Sequence, residues 1–178
     1  RAGLSEATIV TGLPVELHNQ ANKDAMKRLL CGRWEIEVNG VKRSITIPRV
    51  EVAVEGGAAF WSMPVDGLVR VIDAGSKTIN YVTMRKRRYV DRDSGTLRFG
   101  FDTNKSADIR QMASRIAGEL GKKWSADDDV LVSGGRAQEL AGLLAQHFPK
   151  ARPIQNALYA NAIGFYRVGR TVLDRVQA

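Results

Sequence analysis

Short apolar runs of strand length alternate along this chain with segments whose apolar residues recur at helical spacing. Strands are predicted where apolar or alternating residues fill a short run between turn-forming residues. The predicted strands are residues 7–11, 34–38, 43–47, 50–54, 68–72, 78–84 and 130–132, with 97–101 as a further candidate. Asn39-Gly40 predicts a β-hairpin between the second and third, because both residues accept positive φ.

Helical spacing is clearest in residues 106–120, where Ser106 is a plausible N-cap and Gly121 follows the last apolar position. Further helices are predicted over residues 22–30, 57–63, 137–147 and 154–168. Alternating strands and helices of this kind predict the α/β class.

Two turns have the same form, a buried strand that runs into small residues: VIDAGSKT and VLVSGGRA. Glycines in such turns let backbone N–H groups approach a ligand without obstruction from a Cβ atom. In α/β folds these turns lie at the carboxyl ends of strands, where ligands bind. An ordinary loop is the competing interpretation of each turn, and a turn-forming role is the competing interpretation of Asp73.

Composition changes this picture in one respect. The chain has 178 residues, enough for one or two domains, and its net charge of +8 favours a polyanionic partner. The densest basic run is Arg85-Lys86-Arg87-Arg88, for which a solvated loop is the simpler interpretation.

The sequence gives no indication of a membrane-spanning segment or of a structural zinc site. No apolar run approaches the ~18 residues of a membrane span, and no signal-peptide pattern is visible. The single cysteine, Cys31, excludes an internal disulfide, suits a reducing cytoplasm, and is predicted to be buried as a small apolar residue. The two histidines, His18 and His147, lack metal-ligand spacing.

Five segments in order resemble the actin-like ATPase superfamily, and within it the ParM-like plasmid-segregation proteins. They are IVTGLPVEL, VEVAVEGGAAF, IDAGSKTIN, VLVSGGRAQEL and NALYANAIGFYRVG. IDAGSKTIN resembles the second phosphate-binding turn of that superfamily, and VLVSGGRAQEL resembles its adenosine loop. The resemblance implies an actin-like (ribonuclease-H-like) ATPase fold.

The resemblance also implies a site for ATP or GTP with Mg²⁺. Glu55 would orient the attacking water, and Asp73 would take part in catalysis and hold the metal through water. Phosphate contacts would come from Gly75, Ser76, Lys77 and Thr78, although Lys77 departs from the small or polar residues usual there and alternatively faces solvent. The nucleoside would lie against Ser133, Gly134 and Gly135.

By the same resemblance, residues 1–66 would be the remainder of domain I. Residues 67–178 would be domain II, with a small outer subdomain and a C-terminal helix that returns to domain I. The superfamily's first Asp-x-Gly phosphate turn is not found before Thr11, so the chain is expected to start partway through domain I. On that expectation, residues 1–178 alone would bind nucleotide weakly, hydrolyse almost none and form no nucleotide-dependent polymer.

The implied function is a cytoplasmic ATPase that polymerises into filaments and segregates plasmid DNA. Its partners would be further copies of itself and a DNA-binding adaptor protein on a centromere-like site, with no membrane. Two alternatives stay open: a non-filamentous member of the same fold, such as a kinase or chaperone-type ATPase, and a basic nucleic-acid-binding module. The nucleic-acid-binding alternative lacks a helix-turn-helix or an aromatic stacking motif in the sequence.

Overall fold

A computed structural model describes residues 5–103 and 108–176 of the chain, and it has the predicted mixed α/β architecture. The strands are β1 (Glu6–Leu13), β2 (Gly32–Val38), β3 (Val41–Val54), β4 (Leu68–Ala74), β5 (Ile79–Arg85), β6 (Arg88–Tyr89), β7 (Gly95–Leu97), β8 (Asp129–Ser133) and β9 (Arg152–Pro153). The α-helices are α1 (Gln20–Leu30), α2 (Gly57–Ser62), α3 (Ile109–Leu120), α4 (Ala137–Leu144) and α5 (Ala160–Val176). Short 3₁₀ turns cover Val15–Leu17, Asp91–Asp93 and Ala157–Tyr159.

Residues 6–54 contain a three-stranded sheet in the order β1-β3-β2. Strands β2 and β3 form the predicted hairpin, with Asn39 and Gly40 both at positive φ (53° and 76°). Strand β1 runs parallel to β3, so the carboxyl ends of the two strands lie side by side, and the Glu55 N–H donates to the Leu13 carbonyl over 2.9 Å.

The second sheet has six strands, in the order β6-β5-β4-β8-β9 with β7 paired to β5. Alternate residues of its central strands face opposite layers. Ile72 of β4 and Val132 of β8 pack toward α3 and α4, while Val71 and Leu131 pack toward α2. This alternation puts the odd-numbered residues of β4 and β8 on the face that also meets the start of α5.

Helix α5 crosses α2 and also contacts β1. The crossing is very close at Gly164, where an added Cβ would come within van der Waals overlap of the Ala58 carbonyl oxygen. The last helix thus packs on elements from the first part of the chain.

Several predicted elements have different limits in the structure. Residues 43–47 and 50–54 belong to one 14-residue strand, β3, rather than two. Pro48 lies between the two predicted strands, at an irregularity in the pairing with β1, where a missing N–H is tolerated. The candidate strand at 97–101 was wrong beyond Leu97, because residues 101–103 form a turn.

Two of the predicted helices begin at later residues in the structure. Helix α3 begins at Ile109 with Asp108 as its N-cap, and the predicted cap Ser106 lies outside the described residues. Helix α5 starts at Ala160, after a short strand and a 3₁₀ turn, rather than at 154. Cys31 was predicted to be buried and is exposed, because it lies at the end of α1, outside the core.

Candidate functional site

Three polar side chains stand in one row across the second sheet. Asp73 of β4 pairs with Asn80 on the antiparallel neighbour β5 and with Ser133 on the parallel neighbour β8. Because paired residues project to the same face, all three face α2 and the start of α5. The row interrupts an otherwise apolar layer, and Asn80 and Ser133 are buried.

The Asp73 carboxylate has a hydrogen-bond donor at each oxygen. Ser133 donates from Oγ to Oδ1 over 2.8 Å, and Asn161 donates from Nδ2 to Oδ2 over 2.8 Å. Two such donors to a carboxylate are charge-assisted and fix its orientation. The predicted nucleoside contact Ser133 therefore uses its hydroxyl to hold Asp73, and its exposed fraction is 0%.

Asn161 also reaches the first part of the chain. Its Oδ1 accepts from the Gly56 N–H over 3.0 Å, directly after Glu55. A single amide from α5 thus ties the loop that follows β3 to the carboxylate at the end of β4. Sequence reasoning missed Asn161, and its only local signal is an amide in the otherwise apolar first turn of α5.

Glu55 is hydrogen-bonded to Asn80, the residue at the β5 end of the polar row. Asn80 Nδ2 donates to Glu55 Oε2 over 3.3 Å, while Asn80 Oδ1 accepts from the Thr96 hydroxyl over 2.7 Å. Asn80 was also missed, although an amide at a buried position of a strand is a recognisable signal.

Both carboxyl groups have raised pKa values. Burial raises the pKa of Glu55, the negative charge of Asp73 raises it further, and the Asn80 hydrogen bond opposes the rise. Burial raises the pKa of Asp73, while the hydrogen bonds from Asn161 and Ser133 oppose the rise. Two coupled carboxyl groups with raised pKa values in one site are a feature of catalytic centres and also of some structural networks.

Residues Gly75 to Thr78 form the turn between β4 and β5, closed by a 3.0 Å hydrogen bond from the Gly75 N–H to the Thr78 carbonyl. The turn is also bonded to the segment after β7, because the N–H groups of Phe101 and Asp102 donate to the carbonyls of Gly75 and Ser76. Ser76 and Lys77 are exposed and Thr78 is half-buried. Their side chains are therefore available to a ligand, and three backbone hydrogen bonds support the turn.

The Ser133-Gly134-Gly135 turn needs its first glycine for packing. Gly134 has φ +111°, and a Cβ there would overlap the Ala74 carbonyl oxygen. Gly135 is exposed, has no such φ, and a Cβ there would make only an ordinary 3.6 Å contact with Leu158. The exposed glycine is thus the one whose backbone a ligand can approach.

In residues 5–103 and 108–176, no three His, Cys, Asp or Glu side chains cluster as ligands for a metal site built wholly by protein. The single carboxylate of Asp73 still fits Mg²⁺, which keeps several waters and binds phosphate oxygens alongside one or two carboxylates. A cavity of about 360 Å³ between β1 and α5 is lined by neither Glu55 nor Asp73.

No described helix combines the length and apolar character needed to cross a bilayer.

Residues 2–57 match the sequence family described as "Actin like proteins N terminal domain". A search of curated proteins found no match.

Solved structures resemble most of the chain. An AlfA filament bound to AMPPNP is 22% identical with a TM-score of 0.78, over 96% of this chain and 62% of that one. AlfA from the B. subtilis plasmid pLS32 in its filament is 23% identical with a TM-score of 0.78, over 93% of this chain and 62% of that one. An archaeal actin homologue in complex with ADP is 14% identical with a TM-score of 0.75, over 92% of this chain and 72% of that one. The chain thus spans about 62% of the length of the AlfA chains.

Proposed function

We propose, from the premise that this chain has the actin-like α/β fold, that it binds ATP or GTP with Mg²⁺ and belongs to a filament-forming ATPase that segregates plasmid DNA. The observation that carries the proposal is the polar row beside Glu55. It sets a carboxylate, Asp73, at the start of a glycine turn, with Ser133-Gly134-Gly135 on the neighbouring strand. The AlfA filament structures lend support, because their fold is similar to that of this chain.

In this proposal the phosphates lie against the turn from Gly75 to Thr78. Ser76 and Thr78 offer hydroxyls and Lys77 offers a cation, while Gly75 leaves room for close approach. The nucleoside lies against the exposed backbone of Gly135. Bound Mg²⁺ would supply charge neutralisation on the phosphates, and Asp73 would hold its water shell.

Glu55 orients the attacking water and accepts its proton. Its raised pKa makes it a better proton acceptor than an ordinary carboxylate, and Asn80 keeps it directed. Glu55→Ala should slow hydrolysis by ~10²-fold in the whole protein while nucleotide binding remains. Unchanged turnover in that variant would remove Glu55 from the mechanism.

Domains 1–66 and 67–178 are proposed as the two sides of the nucleotide cleft, with Asn161 linking them. Filament contacts with further copies and a DNA-binding adaptor on a centromere-like site complete the proposal. A non-filamentous ATPase of the same fold is the second candidate.

The test measures binding of a fluorescent ATP analogue with Mg²⁺. Gly135→Val and Lys77→Glu should each weaken affinity by about 10-fold or more, because one blocks the backbone and the other opposes the phosphate charge. Neither change is expected to unfold the protein, because both positions are exposed. Lys122→Glu, at an exposed lysine after α3, is the charge-matched control.

If Lys77→Glu and Lys122→Glu reduce affinity equally, the turn is not the phosphate site. Sedimentation of the whole protein with and without nucleotide separates the two candidates, since a filament former pellets and a non-filamentous ATPase stays in the supernatant.

A further inference from the structure

Strand β2 is an open edge with an exposed apolar face. Every residue of Gly32–Val38 is exposed, and among the described residues β2 pairs only with β3. Trp34, Ile36 and Val38 project to one face together with Val41 of β3, with exposed fractions of 40%, 40%, 49% and 52%. An edge of this kind can pair with another strand unless its side chains oppose pairing.

The hairpin geometry determines which backbone groups remain free. The two-residue turn at Asn39-Gly40 makes Val38 and Val41 the first hydrogen-bonded pair, and the pairs then alternate. The Thr46 N–H, opposite Arg33, accordingly turns away from β2 and donates to the Ser5 carbonyl over 2.8 Å. Arg33, Glu35 and Glu37 therefore direct their N–H and C=O groups to the open edge.

The charges on this edge are self-complementary. When the strand GRWEIEV is laid antiparallel to itself about Glu35, each Arg33 lies opposite a Glu37, and each Trp34 lies opposite an Ile36. The residues with outward backbone groups then meet one another, which the ladder requires. The only repulsive contact is between the two Glu35 side chains on the axis, and each of these carboxylates has an Arg33 as a diagonal neighbour. The two opposite-charge pairs and two apolar pairs outweigh this contact.

We propose that β2 is an interaction surface for a second copy of this chain, joined as an antiparallel strand pair about a twofold axis at Glu35. The contact continues each three-stranded sheet into the next and doubles the apolar stripe of Trp34 and Ile36. An isologous contact closes on two copies and is therefore different from the head-to-tail contacts that extend a filament.

Other registers are less favourable. Moving the axis to Ile36 puts Glu35 opposite Glu37 twice, which is repulsive. Moving it to Trp34 keeps Arg33 opposite a glutamate but moves Val38 opposite Leu30, outside the partner's strand. A shift of the axis by half a residue would set outward backbone groups opposite inward ones.

The pairing surface is a single short strand, so the dimer is expected to be weak. Interfaces below about 1,200 Å² of buried surface are typical of transient contacts. Sedimentation velocity over a range of micromolar concentrations, without nucleotide, should show a reversible monomer–dimer equilibrium.

The first test reverses the charges. Arg33→Glu and Glu37→Arg should each weaken dimerisation by about 10-fold, because each turns two attractive pairs into repulsive ones. The double variant Arg33→Glu/Glu37→Arg should restore it, since the opposite-charge pairs reappear. Circular dichroism on each variant checks that the hairpin remains folded. A double variant as weak as the single ones would overturn the proposal.

The second test examines the register in a Cys31→Ser background, which removes the exposed natural thiol. Glu35→Cys places two thiols on the axis at the ~5.5 Å Cα separation of a hydrogen-bonded pair, so mild oxidation should give a disulfide dimer. Val38→Cys is the matched control, because it removes none of the charge pairs and its two copies lie about 20 Å apart in this register. Equal cross-linking of both variants, or none at position 35, would overturn the register and with it the proposal.

Discussion

At the scale of single residues, Glu55 and Asp73 give the site its chemistry through their surroundings. Both carboxyl groups are partly desolvated and both have raised pKa values. A carboxyl whose pKa is higher in the folded state than in the unfolded state binds its proton more tightly when folded. Stability therefore falls as pH rises from the ordinary pKa through the raised one.

Glu55→Gln should consequently stabilise the protein at neutral pH. The amide keeps the hydrogen bond from Asn80, and it removes both a buried charge and its repulsion with Asp73. The gain in unfolding free energy over wild type should be larger at about pH 7.5 than at about pH 4, where the wild-type carboxyl is protonated. Urea unfolding at both pH values measures it.

Glu119→Gln is the control, because that carboxylate is exposed at the end of α3. An equal change in stability at both pH values for Glu55→Gln would mean that the Glu55 carboxyl does not carry a buried charge at neutral pH.

At the scale of elements, α5 joins the two parts of the chain by close packing and by one side chain. Gly164 lets the helix lie directly on the Ala58 carbonyl, and one turn earlier Asn161 bonds both Gly56 and Asp73. The position of the helix thus determines the position of the carboxylate and of the loop carrying Glu55.

Gly164→Ala should therefore cost stability although it adds a better helix former. A Cβ would force α5 away from α2, at about 1–3 kcal/mol or more. Gly118→Ala and Gly142→Ala are matched controls in α3 and α4, where a Cβ meets nothing within 4 Å. Those two changes should stabilise the protein by about 0.5–1 kcal/mol. The thermal unfolding temperature should therefore fall for Gly164→Ala and rise for both controls.

Asn161 substitutions should reveal the shared hydrogen bonds. Asn161→Ala leaves the Gly56 N–H and one Asp73 oxygen without these partners, at a cost of about 1–3 kcal/mol. Asn161→Asp keeps an acceptor for Gly56 but brings a second carboxylate against Asp73.

The aspartate variant should therefore regain stability on acidification, and the alanine variant should not regain it to the same degree. Unfolding measured across pH for both variants distinguishes them. Parallel pH profiles would mean that Asn161 does not contact Asp73 in solution.

At the scale of the whole molecule, the net charge of +8 includes a dense cluster of exposed basic residues. Residues 85–88 are all exposed and form the tip between β5 and β6, where Lys86 and Arg87 have positive φ of 49° and 61°. Arg87 is paired with Asp66 at 2.9 Å. This surface is the specific observation behind the nucleic-acid-binding alternative.

The charge predicts weak retention on DNA that falls steeply with salt and has no sequence preference, because such binding arises from counterion release. Arg85→Ala/Arg88→Ala should reduce the slope of log affinity against log salt by about 2. Filter binding with two unrelated duplexes measures both quantities. A marked preference for one sequence without an adaptor would instead support a dedicated nucleic-acid-binding role.

Local features of this protein were predictable from its sequence. The Asn39-Gly40 hairpin, the glycine turn after Asp73, the strand before Gly134 and the helical spacing of α3 lie where they were predicted, because each depends on neighbouring residues. The predicted actin-like fold is confirmed by the family match and the structural matches, while the roles assigned to Glu55, Asp73 and the two turns stay predictions.

Only the tertiary structure decided which side chains meet. Asn161 and Asp73 are 88 residues apart, and Ser133 and Asp73 are 60 apart, so no local pattern joins them. Gly134 stays a predicted nucleoside contact, and the tertiary structure adds a packing requirement that no local pattern shows, because a Cβ there would overlap the Ala74 carbonyl of another strand. Pairing and burial are set by contacts between distant segments, and the chemistry of the site depends on those contacts more than on the motif that surrounds each residue.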